Sequence, residues 1–157
     1  MPEHKYITVY TDGSCNPIHK MGGWAAIVLI DNQKIILKGK DVNTTHQRME
    51  LLAVLKALEY LQQNQLLAQQ VNICADSQYV IEIRKRRRAL EANDFLTKKG
   101  QPIRNDDLVR KLISYIDNTT IEFTKVAAHQ KITEIENLNR EADKLARSII
   151  REHIANS

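Results

Sequence analysis

Four acidic residues stand in settings that could support metal chemistry. They are Asp12 in Y-T-D-G-S, Glu50 in Q-R-M-E-L-L, Asp76 in A-D-S-Q-Y and Asp143 in N-R-E-A-D-K-L-A. Two of them follow strand-like runs and two lie on helix-like runs, so a sheet with packed helices can bring all four together. Two like charges about 4 Å apart repel by roughly 4 kcal/mol at an effective dielectric of 20. Such a cluster requires a cation, and oxygen ligands favour a hard divalent ion, Mg²⁺ or Mn²⁺.

Each acid taken alone also has an ordinary structural explanation. Asp12 with Gly13 is a turn signal, and Glu50 could complement a helix dipole. Asp76 with Ser77 could cap a helix, and Asp143 could be a surface acid. The prediction of a metal site therefore depends on all four occurring in one chain.

The elements that must position these acids can be read from hydrophobic periodicity and turn signals. Five strands are predicted, at residues 6–11, 23–30, 34–38, 71–75 and 120–126. The first three form an antiparallel meander, and a capping box of Thr44 and Gln47 opens the first helix. Ser77 caps a second helix that carries a basic run, Asn105 precedes a third at residues 106–116, and a last helix covers residues 138–153. The predicted fold is α/β, a mixed five-stranded sheet flanked by helices.

The last helix can be checked by its geometry. Leu138, Ala142, Leu145, Ala146 and Ile149 form one apolar stripe. At about 100° per residue, Asn139 and Asp143 fall together on one edge of that stripe. Such an edge can direct a carboxylate into a cleft while the helix stays anchored to the core.

The bulk composition excludes several classes of protein. The 157 residues, 43% hydrophobic and 27% charged, fit a single globular domain over residues 1–157. No apolar run approaches the roughly 20 residues that cross a bilayer, so we expect no membrane partner. Cys15 and Cys74 fit no zinc spacing and are interpreted as reduced thiols. A strand-like N-terminus leaves no room for a signal peptide, so we expect a cytoplasmic protein. We also expect a free-standing monomer.

Positive charge is concentrated in one stretch. Residues 84–104 hold eight Lys or Arg against two acids, although the whole chain has a net charge of +4. A basic protrusion beside an acidic pocket indicates a polyanionic substrate. Taken alone, a basic run is also typical of a solvated helix face.

These motifs, in this order, resemble those of type 1 ribonuclease H of the bacterial kind. Y-T-D-G-S, T-T-H-Q-R-M-E-L-L-A, D-S-Q-Y-V and A-H followed by N-R-E-A-D-K-L-A carry the resemblance, which extends from Tyr6 to about Arg151. It implies an endonuclease that hydrolyses the RNA strand of RNA–DNA hybrids and leaves 5′-phosphate and 3′-hydroxyl ends.

The resemblance also implies roles for individual residues. Asp12, Glu50, Asp76 and Asp143 would hold two Mg²⁺ ions with the substrate, or Mn²⁺ in their place. His129, in V-A-A-H-Q, matches a histidine that assists proton transfer or product release. Residues that match contacts to the RNA strand are Ser14, Cys15, Asn16 and Gln78. Thr45 matches a contact to a DNA phosphate, and Gln47 a contact to the groove between the strands. In the basic protrusion, Arg86, Arg87 and Arg88 would contact substrate phosphates.

The chain departs from well-known bacterial members in places that concern substrate rather than metal. The basic segment lacks their tryptophans, since the only Trp is Trp24. His46 and Gln47 stand where two asparagines are common. Two other functions remain open, a nuclease of the same broad fold acting on DNA or junctions, and a module that binds hybrids without cutting them.

Overall fold

The described elements follow the predicted order of strands and helices, except that three helices rather than two lie between the fourth and fifth strands. The computed structural model describes residues 6–31, 33–126 and 134–155, the side chains of residues 134–137 excepted. The strands are β1 (Tyr6–Asn16), β2 (Met21–Ile30), β3 (Gln33–Val42), β4 (Gln70–Ala75) and β5 (Ile121–Lys125). The helices are α1 (His46–Gln63), α2 (Gln78–Lys85), α3 (Arg87–Ala92), α4 (Asp106–Asn118) and α5 (Glu134–Ala155).

The strands form one mixed sheet in the order β3-β2-β1-β4-β5. β1 pairs antiparallel with β2, and β2 with β3, which confirms the predicted meander. β4 runs parallel to both β1 and β5. The predicted α/β class and the mixed five-stranded sheet are therefore confirmed.

Helices cover both faces of the sheet because side chains alternate along each strand. On one face, Ile7 and Val9 of β1 join a core with Leu55 of α1 and Leu112 of α4. On the other face, the neighbouring Tyr10 packs in a cluster with the small residues of α5. Within the described ranges, no helix is long and apolar enough to cross a membrane.

The first strand is longer than predicted, and this changes the setting of Asp12. The sequence predicts that the strand stops at Asp12-Gly13, but β1 continues to Asn16 and Asp12 pairs with Ala25 of β2. The turn interpretation of Asp12-Gly13 was therefore wrong. Extended pairing with β2 outweighs the turn tendency of an Asp-Gly pair.

The start of α1 also differs from prediction by one residue. Thr45 is the cap, and its Oγ1 accepts a hydrogen bond from the backbone N–H of Arg48 at 3.2 Å. Thr44 is buried, and its backbone N–H donates to the carbonyl of Lys20 at 3.2 Å. The predicted capping box of Thr44 and Gln47 is wrong, because the backbone of Thr44 is hydrogen-bonded to Lys20 in the β1–β2 connection.

The basic run does not lie on one helix. Ser77 caps α2 as predicted, with its Oγ accepting from the N–H of Val80 at 3.3 Å. α2 then ends at Lys85, and α3 begins at Arg87. An isolated bridge between Leu96 and Pro102 closes the loop that leads to α4.

Candidate active site

Strand register brings Asp12 and Asp76 to the same edge of the sheet. The parallel pairing of β1 with β4 ends where Thr11 lies opposite Ala75. Asp12 follows Thr11 and Asp76 follows Ala75 in the sequence, so the two acids lie side by side just beyond the last paired residues. The carboxyl ends of parallel strands are the usual place for sites in open α/β sheets.

Glu50 reaches this edge because α1 packs very closely on β1. A Cβ added at Gly13 would lie 2.4 Å from the backbone N of Glu50 and from the carbonyl carbon of Met49. Only a residue without a side chain allows this approach. Gly13 therefore fixes the depth at which Glu50 enters the site.

Asp143 is positioned from the opposite face of the sheet by α5. A Cβ at Gly23 of β2 would lie 2.2 Å from the carbonyl oxygen of Ala146. Ala142 and Ala146 are fully buried against the sheet. Asp143 stands at the edge of this buried stripe, as the helical geometry predicts, and its carboxylate accepts from Nε of Arg147 at 3.1 Å.

The four carboxyl groups converge. One oxygen from each of Asp12, Glu50 and Asp76 lies within 4.8 Å of the others. Asp143 falls outside this group of three but is near enough to Asp12 to raise the pKa of that carboxyl. Side chains of Asp12 and Glu50 are only 4% and 2% exposed. The structure therefore gathers the four acids that the sequence singles out.

Burial and mutual repulsion make ionisation of this cluster unfavourable. Burial, followed by the charge of Glu50, raises the pKa of Asp12 to about 10. Burial also raises the pKa of Glu50, although hydrogen bonding from His46 opposes the rise. Glu50 Oε2 is buried with no hydrogen-bond partner among the described residues. Carboxylates this close, one with an unpartnered oxygen, fit a divalent cation that takes oxygen ligands.

His46 is a site residue that the sequence reasoning did not include. Its Nε2 lies 3.1 Å from Oε1 of Glu50, and hydrogen bonding to Glu50 raises the pKa of His46. The available signal was the spacing, since residues four apart on a helix face each other. The exposed imidazole occupies the mouth of the site and orients the carboxylate behind it.

Of the four acids, Asp143 lines a cleft of about 1060 Å³. Ser14, Cys15 and Asn16 line it together with His46, which places the predicted RNA-contacting segment in the same cleft as Asp143. A neighbouring pocket of about 750 Å³ is lined by Cys15 and Thr45, among others, so the predicted phosphate-binding threonine is adjacent. Gln47 lines neither opening in the described part of the chain.

The remaining predicted contacts lie outside the cleft. Gln78, at the start of α2, accepts from Nζ of Lys125 and donates to Glu82. Arg86, Arg87 and Arg88 lie at the junction of α2 and α3, where Arg84, Lys85, Arg87 and Arg88 line a separate pocket of about 280 Å³. His129 lies outside the described residues.

Comparisons with known proteins agree with this arrangement. The family model described as RNase H matches residues 4–151. The chain is 34% identical over 148 residues to the ribonuclease H of Moorella thermoacetica, with 93% of this chain and 92% of that protein covered. It is 32% identical over 150 residues to the ribonuclease H of Caldicellulosiruptor saccharolyticus, with 94% of this chain and 98% of that protein covered.

A solved structure shares the fold at low identity. The foamy viral protease-reverse transcriptase, determined in complex with dsDNA, superimposes with a TM-score of 0.73 at 17% identity, covering 93% of each chain. The fold, the acidic edge and these matches together define the class. The chain belongs to the RNase H family, and both bacterial relatives carry the name of a nuclease.

Proposed function

We propose that this protein is an endoribonuclease that hydrolyses the RNA strand of RNA–DNA hybrids in a metal-dependent reaction. The observation that carries the proposal is the convergence of Asp12, Glu50 and Asp76 within 4.8 Å, with Asp143 near enough to raise the pKa of Asp12. Family membership and the names of the relatives support the choice of substrate. Unless a cation is bound, repulsion between these carboxylates and their desolvation oppose folding.

The four carboxylates would hold two Mg²⁺ ions, or Mn²⁺, in the presence of substrate. Held by these residues, the ions would supply activation of an attacking water and stabilisation of the leaving 3′ oxygen, consistent with 5′-phosphate and 3′-hydroxyl products. Oε2 of Glu50 has no hydrogen-bond partner among the described residues and would be available to such an ion, while Oε1 lies 3.1 Å from Nε2 of His46. His129 is proposed to assist proton transfer, a role worth about 10²–10⁴-fold in rate.

Selection of a hybrid requires recognition of both strands. Only RNA presents 2′-hydroxyl groups, in the wide minor groove of an A-like helix. Ser14, Cys15 and Asn16 line the cleft where these groups would pass, and Thr45 lines the adjoining pocket proposed for a DNA phosphate. The basic segment would add phosphate contacts that do not depend on sequence. We propose a single-domain monomer acting in the cytoplasm.

A panel of labelled substrates tests the proposal. RNA–DNA hybrid, duplex RNA, duplex DNA and single-stranded RNA of the same sequence would each be incubated in Mg²⁺ and in chelator. We expect cutting of the RNA strand of the hybrid alone, only in Mg²⁺, with 5′-phosphate ends. Cleavage of duplex DNA would assign the protein to another nuclease branch, and tight hybrid binding without cleavage would make it a binding module.

A further inference from the structure

Helix α5 carries a row of positively charged side chains, although the net charge of the helix is small. Its described side chains include four cations and three acids, so the count is nearly balanced. At about 100° per residue, the four cations fall within about 60° of arc on the exposed face. We call this row the α5 basic stripe; its members are Arg140, Lys144, Arg147 and Arg151.

The acids of α5 are placed elsewhere or are already paired. Glu141 and Glu152 fall roughly a quarter turn or more from the stripe, and Glu141 pairs with Lys34 of β3. Asp143 belongs to the carboxylate cluster and holds Arg147 at 3.1 Å. Lys144 and Arg151 have no ion-pair partner among the side chains that the structure describes. Their charges remain available for a ligand.

Three members of the stripe lie in the same cleft as Asp143 of the carboxylate cluster. Lys144, Arg147 and Arg151 line the same 1060 Å³ cleft as Asp143, opposite Ser14 and Asn16 of the β1–β2 hairpin. From Arg140 to Arg151 the helix rises about 16 Å, at 1.5 Å per residue. A nucleic-acid strand advances about 3.4 Å per phosphate, so this length matches roughly five phosphates.

We propose that the α5 basic stripe binds phosphates of the nucleic-acid substrate that flank the cleaved bond, through Lys144 and Arg151. The proposal rests on the proposed function, because the stripe shares its cleft with Asp143 of the carboxylate cluster. It gives the enzyme a second phosphate-binding surface, separate from the protrusion at residues 84–104. Substrate would then be held on both sides of the cut, which offsets the lack of tryptophans in the protrusion.

The test compares two variants that lose the same amount of charge. Lys144→Gln/Arg151→Gln removes two stripe cations. Lys56→Gln/Lys111→Gln removes two cations outside the cleft, half-buried Lys56 of α1, which pairs with Glu59, and exposed Lys111 of α4. Binding of a labelled 20-base-pair hybrid would be measured against salt concentration in chelator, where the RNA stays intact. Each phosphate contact contributes about 0.7–0.9 to the slope of log affinity against log salt. We expect the slope to decrease by about 1.4–1.8 in the stripe variant and to stay at the parent value in the control.

Further measurements separate this proposal from the proposed function. Lys144→Arg/Arg151→Lys should restore the parent slope, which a folding defect would not allow. In Mg²⁺ the stripe variant should show a raised KM with kcat nearly unchanged. Equal slopes for the stripe variant and its control, or no hybrid binding by the parent, would overturn the stripe as a phosphate site and leave it as a solvated face or a surface for an acidic protein. Failure of the parent to cleave hybrids that it binds with stripe-dependent salt sensitivity would instead overturn only the proposed function.

Discussion

Asp12 and Glu50 occupy positions where most proteins place aliphatic side chains. Asp12 follows the fully buried Thr11 on a central strand, and Glu50 lies next to the fully buried Met49 and Leu51. Burial of unpaired carboxylates opposes folding, since each must be neutralised or paired. Without a bound cation, this unfavourable burial raises the pKa of Asp12.

The cost predicts a pH-dependent stability in chelator. The pKa of Asp12 is raised from 3.8 to about 10, so its stability contribution is fully present below pH 3.8 and is lost as the pH rises towards 10. Asp12→Asn does not titrate and avoids this loss. We expect the variant to melt higher than the parent, by about 2–4 °C for each kcal/mol relieved, with a larger difference at pH 9 than at pH 5.

Thermal unfolding of the two proteins at pH 5, 7 and 9 measures this effect. The difference between the two proteins reports Asp12 together with its coupling to Glu50. Glu59→Gln, which neutralises an acid on the outer part of α1, is the matched control and should melt like the parent. A melting temperature difference that does not change with pH would argue against the crowded cluster.

At the scale of elements, two glycines set how far the helices approach the sheet. Gly13 touches the backbone of α1 just before Glu50, and Gly23 touches the backbone of α5 just after Asp143. Each contact lies within one helical turn of the acid it positions. Packing in this fold therefore determines the geometry of the site.

Gly13→Ala should consequently affect catalysis more than its stability loss explains. The new methyl would meet backbone atoms at 2.4 Å, which only movement of α1 can relieve. We expect a loss of about 1–3 kcal/mol in the free energy of unfolding, as for overpacked cores, and a reduced kcat for the folded protein.

Gly100→Ala provides the comparison, because its new methyl would have no atom within 4 Å, although the φ of +79° at this position strains any side chain. It should lose stability, by about 1 kcal/mol from backbone strain, without a change in kcat. Equal kcat values for the two folded variants would show that α1 can shift without moving Glu50.

The basic protrusion contains arginines in unequal settings. Arg87 donates to Asp117 of α4 at 3.1 Å and is partly buried, whereas Arg88 is exposed with no such ion pair among the described residues. We expect Arg88→Gln to weaken hybrid binding and lower its salt slope by about 0.7–0.9. Arg87→Gln should mainly lower the free energy of unfolding, by about 0.2–1 kcal/mol. A lower salt slope for Arg87→Gln than for Arg88→Gln would reverse this assignment.

How far the sequence predicts these features depends on the range of the interaction. Periodicity predicts the strands, the helices and the edge placement of Asp143, because it reflects which face is buried. The extension of β1 past Asp12 depends on pairing with β2, and the cap at Thr45 depends on the bond from Thr44 to Lys20. Such contacts between distant residues leave no local signal, and local turn and cap rules then give wrong boundaries.

The same limit applies to residues of the site. Motif order predicts that Asp12, Glu50 and Asp76 meet, and the parallel register of β1 and β4 explains why. The α5 basic stripe is hidden in the sequence because acids alternate with its cations along the chain. Only helical geometry separates the two signs of charge.

At the scale of the whole molecule, acid and base are segregated in a way that fits metal-assisted chemistry on a polyanion. Asp12 and Asp76 lie at the carboxyl edge of the central strands, and Asp143 lines a cleft together with the cations Lys144, Arg147 and Arg151 of α5. A second basic surface lies at the α2–α3 junction. Positive surfaces of this kind draw nucleic acid towards the acidic edge and make association depend on salt.

The central claim is that the protein cleaves the RNA strand of a hybrid at the site formed by the four carboxylates. The most direct measurement is the single-turnover rate of RNA-strand cleavage in Mg²⁺ for Asp12→Asn, Glu50→Gln, Asp76→Asn and Asp143→Asn, beside the parent and Glu59→Gln. Loss of one ligand should remove several kcal/mol of transition-state stabilisation, a decrease of about 10²-fold or more. We predict this decrease in all four variants with hybrid binding retained, and a parent-like rate for Glu59→Gln. Cleavage at the parent rate by the Asp12→Asn protein would contradict the account.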